Sequence, residues 1–188
     1  DAAIHAIFHA YGDRGDQVLT TTPTFGYYTP CAQMQGMKIL QLPYEGIKFE
    51  FPIEKISAAL LEHKPKLLLI CNPNNPTGTY LDLRQLSALE SVIADIKGIL
   101  IIDEAYANLV VGSWDAIPIA QNGNTVLLRS MTKDYSLTGI LCLLFQEEQH
   151  LKPKCHEFYV TYFTNSQKVP PVFHHQNLQS LAAVHLGE

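Results

Sequence analysis

Short runs made almost wholly of apolar residues constrain this chain most, and they lie at residues 66–71, 99–102 and 125–128. A strand that alternates apolar and polar side chains buries one face, whereas a continuous apolar strand is buried on both. Strands of that kind belong to parallel sheets that carry helices on both sides. The runs are too short to cross a bilayer.

Segments with apolar residues at helical spacing separate these strands. Two more strands are predicted at residues 18–22 and 38–42, and helices at residues 1–11, 27–36, 53–63 and 83–96. Asp82 and Gln85 have the spacing of a capping box, while Gly36 and Gly98 are expected to end their helices. The order predicts an α/β fold with a mainly parallel sheet sandwiched by helices.

Composition narrows the class of protein. The chain has 188 residues, 47% of them hydrophobic, which suits one domain or one domain and a fragment. Its formal net charge is −5 and it has no basic stretch, so a nucleic-acid surface is not indicated. Four cysteines are widely separated without a CxxC pair, which favours reduced thiols in a cytosolic protein.

Three polar clusters follow the predicted buried strands, at residues 72–78, 103–106 and 130–133. Ligands of parallel sheets bind outside the carboxyl ends of the strands, where these clusters are expected to meet. Taken singly, each has an ordinary interpretation: an Asn/Pro/Gly turn, a strand-end acid or helix cap, and a surface lysine. Their occurrence at one edge instead favours a shared ligand site.

The side chains in these clusters match the needs of one aldehyde cofactor. The amine of Lys133 can condense with an aldehyde, and the hydroxyls of Ser130 and Thr132 suit a phosphate. Asp103 could pair with a cationic ring nitrogen or a metal, and Tyr106 could return to the same site. No G-x-x-x-x-G-K-[ST] motif accompanies Asp103, which argues against a Walker-type magnesium site. Pyridoxal 5'-phosphate carries the aldehyde, the phosphate and the protonated ring.

The stretches "NPNNPTG", "DEAY" and "SMTK…LTG" resemble the class I/II pyridoxal-phosphate aminotransferases of fold type I. The resemblance covers about residues 1–140 and is nearest to the histidinol-phosphate aminotransferase branch, with its threonine-phosphate decarboxylase relatives. It implies that Lys133 bonds to the cofactor and shuttles a proton, and that Asp103 faces the pyridinium nitrogen.

The same resemblance assigns the remaining cofactor contacts. It implies that Asn75 and Tyr106 contact the ring hydroxyl, and that Ser130 and Thr132 contact the phosphate. Phe25, in "PTFGYY", lies where the family stacks an aromatic side chain on the cofactor; phenylalanine can stack but cannot hydrogen-bond.

Three departures from the family pattern weaken the expected site. The phosphate-binding glycine turn of the family would precede Asp1, and the family's phosphate-binding arginine is replaced by Leu141. The arginine that clamps the substrate carboxylate has no counterpart, because the last arginine is Arg129. We therefore expect weak cofactor binding and little or no turnover by this chain.

The domain prediction follows from the same comparison. Residues 1–145 are expected to form a pyridoxal-phosphate-binding large domain without its N-terminal part, and residues 146–188 a divergent segment leading toward a truncated small domain. The family pattern is lost over residues 141–169, which suggests a frame shift or divergence. His150, Cys155 and His156 lie there without paired spacing, so no metal is predicted.

The predicted activity is transfer of an amino group between an amino acid, possibly an amino-phosphate, and a 2-oxo acid. The alternatives are a pyridoxal-phosphate decarboxylase of the same fold and a non-catalytic remnant or binding module. The resemblance also implies a cytoplasmic homodimer for the full-length parent. Neither nucleic acid nor membrane is an expected partner.

Overall fold

One six-stranded sheet forms the centre of the molecule. The structure is a computed structural model that describes residues 2–110, 116–121, 123–130 and 141–144, with only the backbone described at residues 2, 117 and 141–144. The strands are β1 (Gln17–Thr22), β2 (Lys38–Pro43), β3 (Leu67–Cys71), β4 (Ile99–Asp103), β5 (Thr125–Ser130) and β6 (Leu141–Leu144). Their order is β2-β1-β3-β4-β5-β6. The first five strands in chain order run parallel, and β6 pairs antiparallel with β5.

Helices cover both faces of this sheet, as the sequence predicts. They are α1 (Ala2–Tyr11), α2 (Tyr28–Met34), α3 (Ile53–His63), α4 (Leu83–Asp95) and α5 (Ile117–Ala120), with a 3₁₀ turn at Ala107–Leu109. Helices α1 and α2 pack on one face, and α3, α4 and α5 pack on the other. Strand β3 is buried along its whole length, because Leu67 and Leu69 enter the first core while Leu68 and Ile70 enter the second.

Strands β3, β4 and β5 end at the same edge of the sheet, and β5 extends two residues further, to Ser130. Cys71 at the end of β3 pairs with Asp103 at the end of β4, and Asp103 pairs with Leu128 of β5. The loops that follow therefore begin at one edge of the sheet, separated only by the spacing of neighbouring strands. This edge carries the polar residues 72–78 and 103–106, together with Ser130, the first residue of the third cluster.

Local signals place most helix ends. The capping box at Asp82 is confirmed: the Gln85 N–H donates to Asp82 Oδ1 at 2.9 Å, and the Gln85 side chain accepts from the Asp82 N–H at 3.0 Å. Gly36 follows α2 with a φ of 70°, as expected for a helix stop. The left-handed residue after α4 is instead Lys97, at a φ of 58°.

Close packing, rather than the predicted helix stop, explains why position 98 is a glycine. A Cβ at that position would lie 2.7 Å from Ile93 Cδ1 and 3.1 Å from the Pro65 carbonyl oxygen. The absence of a side chain lets the chain pass between α4 and the loop before β3. Close packing therefore requires this glycine.

Three other features differ from the sequence prediction. Helix α2 is shorter than residues 27–36 at both ends, and β5 continues through Ser130. Strand β6 was not predicted, and it gives the parallel sheet an antiparallel edge. Among the helices that the structure describes, none is long and apolar enough to span a membrane.

The exposed C-cap of α3 offers a test of backbone strain. Lys64 has a φ of 45° and a ψ of 54°, a left-handed conformation that costs a side-chain-bearing residue about 1 kcal/mol. We expect Lys64→Gly to raise the free energy of unfolding by about 0.5–1 kcal/mol, measured by urea denaturation. Lys64→Ala removes the same charge but keeps Cβ, and it should give no such gain. An equal gain from both variants would assign the effect to charge.

Candidate cofactor site

Asp103 lies at the centre of the carboxyl edge of the sheet. It is the last residue of β4, and only 4% of its surface is exposed. Tyr28 Oη donates a hydrogen bond to Asp103 Oδ2 at 2.7 Å, and the backbone N–H of Ala105 donates to Oδ1 at 3.0 Å. Each carboxylate oxygen therefore has one donor and keeps further acceptor capacity.

The Asp103 carboxylate is buried, and its described partners are hydrogen-bond donors rather than charged side chains. Burial raises the pKa of the Asp103 carboxyl, and the hydrogen bonds from Tyr28 and Ala105 act against this shift. No lysine, arginine or histidine among the described side chains forms an ion pair with it. The donor set therefore fits a ligand that brings a positive charge or an N–H group to this carboxylate.

Asn75 and Tyr106 meet at the same edge of the sheet, although they come from the loops after β3 and β4. Asn75 Nδ2 lies 3.5 Å from Tyr106 Oη, at the limit of a hydrogen bond. Both residues are partly exposed, and Tyr106 lies three positions after Asp103 in the turn that follows β4. An amide and a phenol at this distance can together contact one ligand oxygen.

Asn72 and Asn74 hold the loop that carries Asn75. Asn72 Nδ2 donates to the Leu81 carbonyl at 3.1 Å, and its Oδ1 accepts from the Leu81 N–H at 2.8 Å. Asn74 Nδ2 donates to the Pro23 carbonyl at 3.0 Å, and Asn74 Oδ1 accepts from Thr24 Oγ1 at 2.7 Å. Asn72 thus closes the loop on itself, and Asn74 ties it to the loop after β1.

Phe25 belongs to that neighbouring loop. Its ring packs edge-on against Tyr28, with the ring centroids 5.5 Å apart and the ring planes at 79°. Phe25 is partly exposed at the border of the core that contains α1 and α2. Since Tyr28 also contacts Asp103, the predicted stacking residue and the predicted ring-nitrogen partner share one neighbour.

Ser130 ends β5 at the same edge. Its neighbour Arg129 forms an ion pair with Glu104, with 2.7 Å between Nε and Oε2, and Glu104 is almost fully buried. This pair joins the ends of β4 and β5 and so fixes where Ser130 lies. Leu141, at the start of β6, is the register partner of Ser130.

The structure thus pairs Asn75 with Tyr106, links Phe25 to Asp103 through Tyr28, and puts Ser130 at the end of β5 on the same edge. Thr132 and Lys133 lie outside the described residues, so their predicted roles stay predictions. The same holds for residues 146–188, which include His150, Cys155 and His156. No group of three potential metal ligands occurs in the part of the chain that the structure describes. Of the four cysteines, Cys31 and Cys71 are described, and both are free and buried.

Sequence reasoning missed two kinds of residue. Tyr28 was not assigned a role, although it stands three residues after Phe25, a spacing at which side chains of a helical turn share a face. Asn72 and Asn74 were recognised only as part of an unusual turn. Their hydrogen bonds to Leu81 and Pro23 depend on how loops meet, which local sequence does not encode.

A comparison with known protein families gives the class of protein to which the chain belongs. A sequence model of aminotransferase class I and II matches residues 1–144, so the chain belongs to that family. The match continues past residue 140 and includes β6. The described residues accordingly have, in part, the α/β fold of the fold type I pyridoxal-phosphate transferases.

The similar proteins that have been curated are histidinol-phosphate aminotransferases. That of Caldanaerobacter subterraneus subsp. tengcongensis is 31% identical over 140 residues, which cover 74% of this chain and 38% of that protein. That of Ruminiclostridium cellulolyticum is 33% identical over 144 residues, which cover 76% of this chain and 39% of that protein. The chain therefore spans well under half the length of these relatives.

Solved structures show the same fold. The histidinol-phosphate aminotransferase from Sinorhizobium meliloti, in complex with pyridoxal 5'-phosphate, matches with a TM-score of 0.65 and 21% identity over 73% of this chain and 37% of that one. A C-S lyase from Staphylococcus hominis matches with a TM-score of 0.71 and 19% identity over 78% of this chain and 40% of that one. Enzymes of different activity thus share this sheet, which agrees with the general independence of fold and reaction.

The buried charge of Asp103 has a consequence for stability. Since its folded-state pKa lies above the unfolded value of about 4, the free energy of unfolding should fall as pH rises from the unfolded to the folded pKa. We expect Asp103→Asn to remove that fall and to stabilise the cofactor-free protein at neutral pH by on the order of 1 kcal/mol. Urea denaturation at several pH values measures both effects.

The exposed carboxylate of Asp95 provides the control. Asp95→Asn should leave the pH dependence of unfolding in place. If Asp103→Asn instead kept the fall in the free energy of unfolding with rising pH, that fall would belong to another group and not to Asp103.

Proposed function

We propose that this chain is the cofactor-binding part of a pyridoxal-phosphate-dependent aminotransferase that moves an amino group between an amino acid and a 2-oxo acid. The observation that carries the proposal is the buried carboxylate of Asp103, which lacks a described counter-ion and ends β4 at the sheet edge that also carries the Asn75–Tyr106 pair. Membership of the aminotransferase family supports it. The substrates of the histidinol-phosphate relatives suggest an amino-phosphate as one candidate.

The donor set suits pyridoxal phosphate group by group. Asp103 would face the ring nitrogen, Asn75 and Tyr106 the ring hydroxyl, and Phe25 the ring face. Ser130 and Thr132 would face the phosphate, and Lys133 the aldehyde. When bound, the cofactor supplies an electron-accepting ring that stabilises negative charge at the substrate α-carbon.

The residues of this chain would then each have a limited task. The Asp103 carboxylate would keep a proton on the ring nitrogen, because a negative charge nearby favours the protonated form. The amine of Lys133 would hold the aldehyde end and would carry the proton that leaves the substrate α-carbon. Asn75 and Tyr106 would fix the orientation of the ring in its plane.

We further propose that the chain binds the cofactor weakly and turns over little. It covers less than half the length of its curated relatives, so their other residues are not represented here. Leu141 occupies the position where the resemblance implies an arginine for the phosphate, next to Ser130 in the strand register. The proposed full-length parent is a cytoplasmic homodimer that includes a small domain beyond residue 145.

Two other functions remain distinct outcomes. A decarboxylase of the same fold would use the same cofactor contacts, and it would release carbon dioxide without transferring an amino group. A non-catalytic remnant would bind pyridoxal phosphate without either reaction. The described residues are compatible with both of these functions and with amino-group transfer. Analysis of the products formed from amino acids and 2-oxo acids distinguishes the three.

Titration with pyridoxal phosphate tests the proposed attachment. We expect a visible absorbance band that saturates only at high cofactor concentration and is lost in Lys133→Ala. Lys97→Ala, which removes an exposed lysine just before β4, should keep the band. No band at any concentration would contradict cofactor binding, and a band that saturates at low concentration would contradict the weak phosphate contact.

Restoring the missing cation tests the phosphate side. An arginine paired with a phosphate forms charge-assisted, bidentate hydrogen bonds, so Leu141→Arg should tighten pyridoxal phosphate binding by about tenfold. Cys142→Arg adds the same charge at the neighbouring position of β6 and should tighten it much less. Equal effects of both variants would mean that only net charge matters and that position 141 does not face the phosphate.

A further inference from the structure

Tyr28 is a buried residue to which the proposed reaction assigns no task. It is the first residue of α2, and none of its surface is exposed. A buried phenol normally finds a hydrogen-bond partner, and most such partners are neutral groups of the core. The partner here is Asp103, a carboxylate at the ligand edge of the sheet, at 2.7 Å.

A second contact links Tyr28 to the aromatic ring expected to lie on the cofactor. The Tyr28 ring meets Phe25 edge-on, and the Tyr28 backbone N–H donates to the Phe25 carbonyl at 3.3 Å. Side chain and backbone of one residue thus hold the turn that presents Phe25. A displacement of Tyr28 would move the stacking ring and the carboxylate together.

The groups around Asp103 give this phenol a specific electrostatic effect. From α2 it is faced by Tyr28, and from β3 by the thiol of Cys71, whose pKa burial raises to about 12. Burial also raises the pKa of Tyr28 well above its ordinary value, so the phenol stays protonated and can donate at neutral pH. Because it donates to the carboxylate, it favours the ionised form of Asp103.

We propose that Tyr28 is a positioning residue for the cofactor. It keeps Asp103 ionised and oriented toward the ring nitrogen, and it fixes the position of the Phe25 ring. This inference rests on the proposed function. Tyr28 would act on the cofactor only through Asp103 and Phe25. The stabilisation of ionised Asp103 would come from a single phenolic hydroxyl.

Removing that hydroxyl alone gives the test. Tyr28→Phe keeps the ring that packs against Phe25, so it isolates the hydrogen bond to Asp103. In the cofactor-free protein, carbon-13 NMR of labelled aspartate should show the pKa of the Asp103 carboxyl rising in the variant. Tyr44→Phe is the matched control, because Tyr44 is also buried and its hydroxyl accepts from Thr21 at 3.2 Å. It should leave the Asp103 titration unchanged.

Cofactor affinity provides a readout that a merely structural role would not reproduce. We expect Tyr28→Phe to weaken pyridoxal phosphate binding about tenfold. An analogue with carbon in place of the ring nitrogen cannot use Asp103, so its affinity should stay nearly the same. An equal loss for both ligands would mean general distortion of the site and would overturn the positioning role.

The remaining outcomes are also informative. An unchanged Asp103 titration in folded Tyr28→Phe overturns the proposal whether or not cofactor binds. If the original protein binds no pyridoxal phosphate, the proposed function fails, and the role of Tyr28 toward the cofactor fails with it. If only the Tyr28→Phe comparison is negative, the proposed function stands.

Should Tyr28→Phe not fold, the Tyr28 hydroxyl proton can be followed in the original protein, and a proton signal insensitive to Asp103 ionisation overturns the coupling.

Discussion

The register of three parallel strands that end at one edge of the sheet is the constraint on which the site depends. Cys71, Asp103 and Leu128 are register partners, so the loops after β3, β4 and β5 begin at one edge. Neighbouring strands lie about 4.8 Å apart, and that spacing is set by backbone hydrogen bonds that no side chain can alter. Residues far apart in the chain thereby reach one edge because the strands that precede them are hydrogen-bonded side by side.

The buried carboxylate of Asp103 lowers the stability of the folded protein, and it provides a partner for a bound ligand. Burial disfavours the ionised form of Asp103, and two donated hydrogen bonds recover only part of the cost. A core selected for stability alone would place an apolar residue there, as at Ile101 and Ile102 of the same strand. Local conflicts of this kind concentrate at functional sites, where the ligand supplies the missing interaction.

Rigid loops surround this carboxylate. Buried amides at Asn72 and Asn74 satisfy backbone and side-chain partners on both sides of the loop after β3. The Arg129–Glu104 pair joins β4 to β5, with Glu104 excluded from solvent. Such contacts limit the positions that Asn75 and Ser130 can take, which is what a site that must orient a small planar ligand requires.

Sequence alone determined the class of fold and its elements except α5 and β6, because apolar period, capping residues and turn residues act within a few positions. It also pointed to Asp103, Asn75 and Tyr106, since residues after buried parallel strands share one edge. Tertiary structure alone decided that Tyr28, 75 residues from Asp103, donates to it, and that Gly98 is needed for close packing. Those contacts depend on where α2 and α4 settle on the sheet, and that position is the joint result of two whole cores rather than of any local pattern.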